Sequence, residues 1–454
     1  MKGANNWVSL LTFSTGILYA FASPAIPKLL SDYGFTIEEA AYFPILPSIV
    51  MLFTTTIYCQ LIDKIGRKWT LLSTGALQAL SWLLIALAKD SYLIYISRAL
   101  FGLSDAGVMA TIPTYVAEVT TPNVRGLYGS IIVISAFLGH FVANCVGYYL
   151  SIQLTSFIML PIPILFIILF SFMPETPYYF VMVGNIDGAM KSLQKLRGCE
   201  NVQPELIQIT LDVERQLSES GRFKDLFLIG SNRKALIVAT ISRSFQNYSG
   251  SNCIAVYSQY IFQEAGGDIS SGVAGMIVSG LFALVNPFAN FICDQLGRRK
   301  SMILSSLGCS LCLLAEAIYF YLQAFDVTDL SIINWFPVLG LASYSITFCL
   351  GLGLVPTLLL GEIFSTNIRR HGVTVTNTIV SANFCIVLKL FQLLMSTHGM
   401  WVPFLFFGLC CFVASIGSWF IVPETKGKTL EEIQQMLKED VGSQSKNIKL
   451  KNVL

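Results

Sequence analysis

Long apolar runs with almost no charge recur from one end of this chain to the other, and they leave few folds open to it. A helix that crosses the hydrocarbon core of a bilayer needs roughly 20 apolar residues. Twelve stretches meet or approach that length: 7–29, 41–62, 69–88, 92–117, 127–150, 153–173, 235–262, 270–292, 301–323, 332–361, 372–396 and 399–422. Backbone in lipid must satisfy its own hydrogen bonds, so such runs read as spanning helices. One long polar interruption, 174–234, divides them six and six. Only 12% of the 454 residues are charged, against about 25% in soluble domains. That leaves too little polar surface for a water-soluble body.

Within this pattern one string occurs twice. Asp63-Lys64-Ile65-Gly66-Arg67-Lys68 sits between two apolar runs of the first half, and Asp294-Gln295-Leu296-Gly297-Arg298-Arg299 sits at the matching point of the second. Acid, glycine and basic pair at one spacing mark an internal repeat, which governs architecture before any local feature does. Lys and Arg in short loops set orientation. One set of loops holds Lys64, Arg67, Lys68, Arg125, Arg298, Arg299, Lys300, Arg369 and Arg370; the opposite set holds little beyond Lys28 and Lys89, with acids such as Glu38, Glu39, Asp268, Asp326 and Asp329. The basic loops are therefore expected on the cytoplasmic side, and an even number of spans puts both termini there too. The first apolar run is too long for the core of a signal peptide.

Composition also excludes function classes. The net charge of +2 comes without a concentrated basic domain, so no nucleic-acid partner is expected. The cysteines fall mostly within apolar runs, as Cys145, Cys253, Cys349, Cys410 and Cys411 do, without zinc spacing or a disulfide framework. No metal or cofactor is expected. Three histidines and no G-x-S-x-G elbow argue against an enzyme. Between the halves, Met190, Leu193 and Leu196 recur at helical spacing among Lys191, Lys195 and Arg197, which predicts short amphipathic helices beneath the bundle. Leu430 to Lys438 predicts one more, ahead of a polar tail expected to be disordered.

Several motifs in fixed order resemble the sugar porters of the major facilitator superfamily. They are Asp63–Lys68, Pro113-Thr-Tyr115-Val-Ala-Glu118 with Arg125-Gly126, Pro174-Glu-Thr-Pro177, Gln246-Asn-Tyr-Ser-Gly250-Ser-Asn252, Gly361-Glu362-Ile-Phe364 with Arg369, and Pro423-Glu-Thr-Lys-Gly-Lys-Thr-Leu-Glu-Glu-Ile433. The resemblance reaches from the first helix to about Ile433 and is nearest to insect facilitated trehalose transporters. It implies an all-α membrane protein with twelve transmembrane helices in two six-helix lobes, 1–173 and 235–425. A cytoplasmic helical linker at 174–234 and a tail at 426–454 complete it. It implies a facilitator in the plasma membrane, functional as a monomer, whose partners are a small-molecule sugar (trehalose or a hexose) and the lipid bilayer. The alternatives are a proton-coupled symporter and a non-transporting sugar sensor.

The resemblance also implies site residues. Asp63, Arg67, Glu118, Arg125, Asp294, Arg298, Glu362 and Arg369 correspond to the family's cytoplasmic gate. Amides at the positions of Gln246, Asn247 and Asn252 contact sugar in the family. Independently of the family, Gln and Asn inside an apolar span cost free energy unless they find partners. With Gly250 and Ser251 beside them they point to a broken helix lining a cavity. Elsewhere the pocket departs from the pattern. Val133 stands where the family has Gln, Thr357 where it has Trp, Val380-Ser381 where it has Asn-Trp, and Phe282 where it has Asn or Gln; Asn383 and Asn286 each lie one turn on. Thr357, Asn383 and Asn286 are carried as pocket candidates. Arg98, Asp105, His140 and Lys389 are ionisable groups inside spans, functional candidates by default. Asp105 and His140 could form a proton relay, or Asp105 could neutralise Arg98. The first span has no acid between Trp7 and Pro27, where proton-coupled relatives carry Asp.

Overall fold

A computed structural model describes residues 2–218, 222–327, 330–365, 368–428, 432–433 and 435–438. The regular elements among them are helices. The first half contains α1 (Lys2–Ala20), α2 (Ala22–Asp32), α3 (Ile37–Ile65), α4 (Arg67–Leu87), α5 (Ser91–Val119), α6 (Pro122–Tyr149), α7 (Ile152–Met159) and α8 (Pro161–Ser171). Four short helices follow: α9 (Pro177–Met182), α10 (Ile186–Arg197), α11 (Gln203–Ser218) and α12 (Asp225–Leu228). The second half contains α13 (Gly230–Asn247), α14 (Ser251–Ala265), α15 (Ser271–Leu296), α16 (Arg298–Ala324), α17 (Phe336–Cys349), α18 (Val355–Glu362), α19 (Arg369–His398) and α20 (Trp401–Ile421).

Ten helices among the described residues are long and apolar enough to cross a membrane. The stretches expected as the seventh and tenth spans are not among them, and each has a break in its middle. Between α13 and α14 the chain turns through Gly250 at φ +81°, a left-handed conformation that glycine adopts without steric cost. Between α17 and α18 it turns over residues 350–354, which leaves carbonyls outside any helical ladder.

Within the first half, α1 lies against α6 and α8, while α5 packs on α3 and α4. In the second, α16 lies against α17 and α20, and α13 against α19. The halves meet along α3 with α19, α6 with α15, and α2 with α14. One apolar core runs through both, from Phe21, Phe43 and Trp82 to Tyr344, Phe391 and Phe404. Large apolar side chains also face outward, including Phe53, Leu284, Phe288, Trp419 and Phe420, as a body immersed in lipid requires.

The short helices have a small core of their own, built from Val181, Ala189, Leu193, Leu206, Ile209 and Val213. Leu196 instead joins Tyr115 and Phe170 of the first half. Arg197 donates to the Val119 carbonyl at 2.9 Å and pairs with Glu205 at 2.6 Å. The predicted tail helix is described only at 432–433 and 435–438, where Ile433 and Leu437 pack on Leu226, Ile363 and Phe364. Residues 439–454 lie outside the described residues.

Candidate functional site

At the Arg-rich end of the bundle the repeated string builds two matching clusters. Arg67 is 4% exposed and donates to Glu118 Oε1 through Nη2 at 2.8 Å and Nε at 3.1 Å. Asp63 lies 3.5 Å from its Nη1. The second Glu118 oxygen accepts from the Thr176 hydroxyl at 2.6 Å. In the other half Arg298 pairs with Asp294 at 2.8 Å and Glu362 at 3.1 Å, and Glu362 accepts from the Thr425 hydroxyl at 2.5 Å.

The glycine of each string has a specific task. Gly66 and Gly297 sit at φ +91° and +88°, where they end one helix and open the next. A Cβ there would stand 2.3 Å from Glu175 Oε2 and 2.6 Å from Glu424 Oε2, respectively. Those carboxylates occupy the space and accept the free N–H groups of the next helix. Glu175 accepts from Lys68 N at 2.9 Å, and Glu424 from Arg298 N at 3.0 Å and Arg299 N at 3.2 Å. An anion at a helix N-terminus satisfies orphan donors and complements the dipole. Pro-Glu-Thr at 174–176 and again at 423–425 is thus the partner of the repeat. The motifs were visible in the sequence, but their pairing with Gly66 and Gly297 was not.

Among the described residues one ion pair joins the halves at this end: Arg370 Nη2 lies 2.6 Å from Asp63 Oδ2. Arg369 instead donates to the Gly361 carbonyl. The side chain of Arg125 lies outside the described side chains. At the opposite end the halves are joined by buried neutral groups. Ser23 Oγ lies 2.7 Å from Ser258 Oγ and donates to Asn144 Oδ1 at 2.9 Å, and Gln259 donates to the same oxygen at 3.3 Å.

Midway along the bundle, the break between α13 and α14 carries the amide cluster. Gln246 Nε2 donates to the Gly353 carbonyl at 2.6 Å, one of those released by the break between α17 and α18. Asn252 donates to Asn247 Oδ1 at 3.1 Å, and Asn247 to the Val380 carbonyl at 3.2 Å. From the other half, the Tyr19 hydroxyl donates to Asn252 Oδ1 at 3.2 Å. Tyr19 also stacks on His140, with ring centroids 5.2 Å apart. Amide and hydroxyl groups, flanked by aromatic rings and reached from both halves, can exchange hydrogen bonds with a polyhydroxylated ligand.

Comparison with known proteins identifies the scaffold. The family profile described as "Sugar (and other) transporter" matches residues 38–437. The chain belongs to this sugar transporter family. A protein named facilitated trehalose transporter Tret1 from Polypedilum vanderplanki is 32% identical over 438 residues, 95% of this chain and 86% of that one. The protein of the same name from Culex quinquefasciatus is 31% identical, covering 95% and 84%. In fold, the chain is similar to the inward-open xylose transporter XylE from E. coli, with a TM-score of 0.79 at 19% identity, covering 95% and 98%. The protein is an integral membrane protein of the major facilitator fold, and a transporter rather than an enzyme.

The positions where this sugar transporter departs from the family pattern have definite places. Val133 is exposed; Val380 is buried, and its carbonyl serves Asn247. Phe282 stacks on Phe137 at 5.8 Å, so apolar packing occupies that corner. Asn383 donates to Ser244 Oγ at 2.8 Å and ties α19 to α13. Asn286 lies against Cys349. Thr357 is exposed and accepts from Arg243 at 3.0 Å. Arg98 is held by the carbonyls of Phe43 and Leu18 at 3.0 and 2.9 Å and by the rings of Phe43 and Phe101. No ion pair between Arg98 and Asp105, and no hydrogen bond between Asp105 and His140, is found among the described residues. Lys389 donates to Gln392 at 2.7 Å and lies over Tyr42. Tyr19 and Arg243 escaped the sequence reading. An isolated Tyr in an apolar run carries no signal, and an Arg near the start of a span reads as an interface anchor.

Proposed function

We propose that the protein carries a sugar down its gradient by alternating access, with trehalose or a hexose as the neutral cargo to test first. In this reading residues 1–173 and 235–425 are two six-helix lobes with twelve spans in all. The broken pairs α13/α14 and α17/α18 are the seventh and tenth spans. Residues 174–234 form a cytoplasmic helical linker and 426–454 a cytoplasmic tail. Both termini face the cytoplasm of a cell whose plasma membrane holds the protein as a monomer. The observation that carries the reading is the Tyr19–Asn252–Asn247 chain of hydrogen bonds, which brings both halves to a broken helix midway through the bundle. Transporters place binding sites at such breaks. Gln246, Asn247, Asn252, Thr357, Asn383 and Asn286 are assigned to the sugar.

The ion-pair clusters at the basic end act as the cytoplasmic gate, with Asp63, Arg67, Glu118, Arg125, Asp294, Arg298, Glu362 and Arg369 as its members. The Arg370–Asp63 pair between the halves is the exposed one, and a contact worth about 0–1 kcal/mol suits a gate that must open and close. The missing hydrogen bond between Asp105 and His140 favours facilitated diffusion over proton coupling. The test is uptake of labelled trehalose and hexoses into proteoliposomes, with and without a proton gradient. Saturable uptake that ignores the gradient is expected, with KM raised by Asn252→Ala. If Gln246→Ala and Asn252→Ala leave KM unchanged for every transported sugar, the site assignment falls.

A further inference from the structure

Arg243 is the side chain in this region that the neutral-sugar reading does not use. It stands on α13 one turn before Gln246. Its Nη1 donates to Gln246 Oε1 and, at 3.0 Å, to the hydroxyl of Thr357 on α18. Its Nε is buried and has no partner among the described residues. The guanidinium therefore touches two residues of the proposed cavity, both neutral. Four other guanidiniums are compensated differently. Arg67 and Arg298 each hold two carboxylates, Arg197 holds Glu205, and Arg98 lies between two aromatic faces with Asp105 within electrostatic reach. No carboxylate pairs with Arg243 among the described residues.

A half-buried cation without a counterion is held at a cost, which is relieved when an anion arrives. The planar fork of a guanidinium matches a carboxylate or phosphate in two parallel hydrogen bonds, stronger than those to neutral hydroxyls. We infer that the cavity selects a sugar bearing an oxyanion, which binds Arg243 while the hydroxyls meet Gln246, Asn247 and Asn252. This rests on the broken helix at Gln246–Asn252 being the sugar-binding site proposed above. In this arrangement Gln246 and Thr357 occupy the fork in the empty protein, keeping it turned toward the ligand.

The test uses the purified full chain, titrated with D-glucuronate, D-glucose 6-phosphate, D-glucose and trehalose and followed by thermal shift and calorimetry. At least one of the two anionic sugars is expected to bind the wild type about tenfold more tightly than glucose, as one charge-assisted bond would give. Comparing the two tells carboxylate from phosphate. Arg243→Gln should remove the preference, and Arg243→Lys should restore part of it. Ligand-free melting of both variants establishes that they fold. Equal affinity for charged and neutral sugars, binding of neutral sugars alone, binding of none, or a preference unchanged in Arg243→Gln would each overturn the inference. Uptake of the same four compounds reports separately on transport. Anion binding without uptake of any sugar would sink the transport reading and leave this one standing.

Discussion

The clusters around Arg67 and Arg298 come from one repeated string, yet they are not equivalent. In both, an arginine at the head of a helix grips an acid one turn earlier and a glutamate from another helix. A Pro-Glu-Thr segment then closes the back. The difference lies in exposure and reach. The Asp63 side chain is 25% exposed and is held by Arg370 of the other half, whereas Asp294 is 66% exposed and serves Arg298 alone among the described pairs. The Arg67 cluster is thus both deeper and tied across the halves. The repeat makes each half internally firm, and a single unrepeated contact decides which cluster takes part in holding the halves together.

The sharpest way to test this asymmetry is to remove the two glutamates. Glu118→Ala leaves Arg67 buried, with Asp63 only at 3.5 Å, and stability should fall by about 3–5 kcal/mol. Glu362→Ala leaves Arg298 with Asp294 at 2.8 Å, and the loss should be about 1.5–3 kcal/mol. Thermal unfolding in one detergent measures both, and equal losses would erase the distinction drawn here.

Gly66→Ala and Gly297→Ala probe what the clusters share. Each forces a positive φ on an L residue and drives its Cβ into a glutamate carboxylate. Each should cost about 1–3 kcal/mol. A harmless Gly66→Ala would show that Glu175 does not need that space.

Smaller effects test the reach across the halves. Asp63→Asn releases Arg370, and spin-label distances between the basic ends of α4 and α16 should shift toward separation, by up to about fivefold in population. Asp294→Asn should leave those distances alone. The same shift from both would mean that the cross-half pair is not what distinguishes them. Arg370→Gln should do least. It should reproduce the direction of Asp63→Asn at no more than about 1 kcal/mol, and the effect should fade as salt is raised.

The architecture was largely legible in the chain because it depends on local quantities. Run length indicates spanning helices, and Gly250 among amides predicts a break where α13 ends. The amphipathic spacing of Leu193 and Leu196 predicts the short helices between the halves. The site was legible only in part. The resemblance names Arg67, Glu118, Arg298, Glu362 and Arg369 as one set without saying which acid meets which arginine; the structure pairs Arg67 with Glu118 and Arg298 with Glu362, while Arg369 donates to a backbone carbonyl. Arg370, its neighbour, makes the cross-half pair. Adjacent residues on a helix differ by about 100° in direction, so which one meets an acid depends on how the helix is rotated in the bundle.

What the sequence determined by itself, then, was the membrane fold, the repeat and the amide cluster at the broken helix, because each follows from residue type and spacing along one segment. What only the tertiary structure decided was partnership. Glu175 and Glu424 fill the space left by Gly66 and Gly297, Tyr19 reaches Asn252 from the opposite half, and Arg243 on α13 reaches Thr357 on α18. These contacts join residues from 107 to 233 positions apart. No local pattern encodes them. They follow from helix rotation and crossing, which the packing of the whole bundle sets.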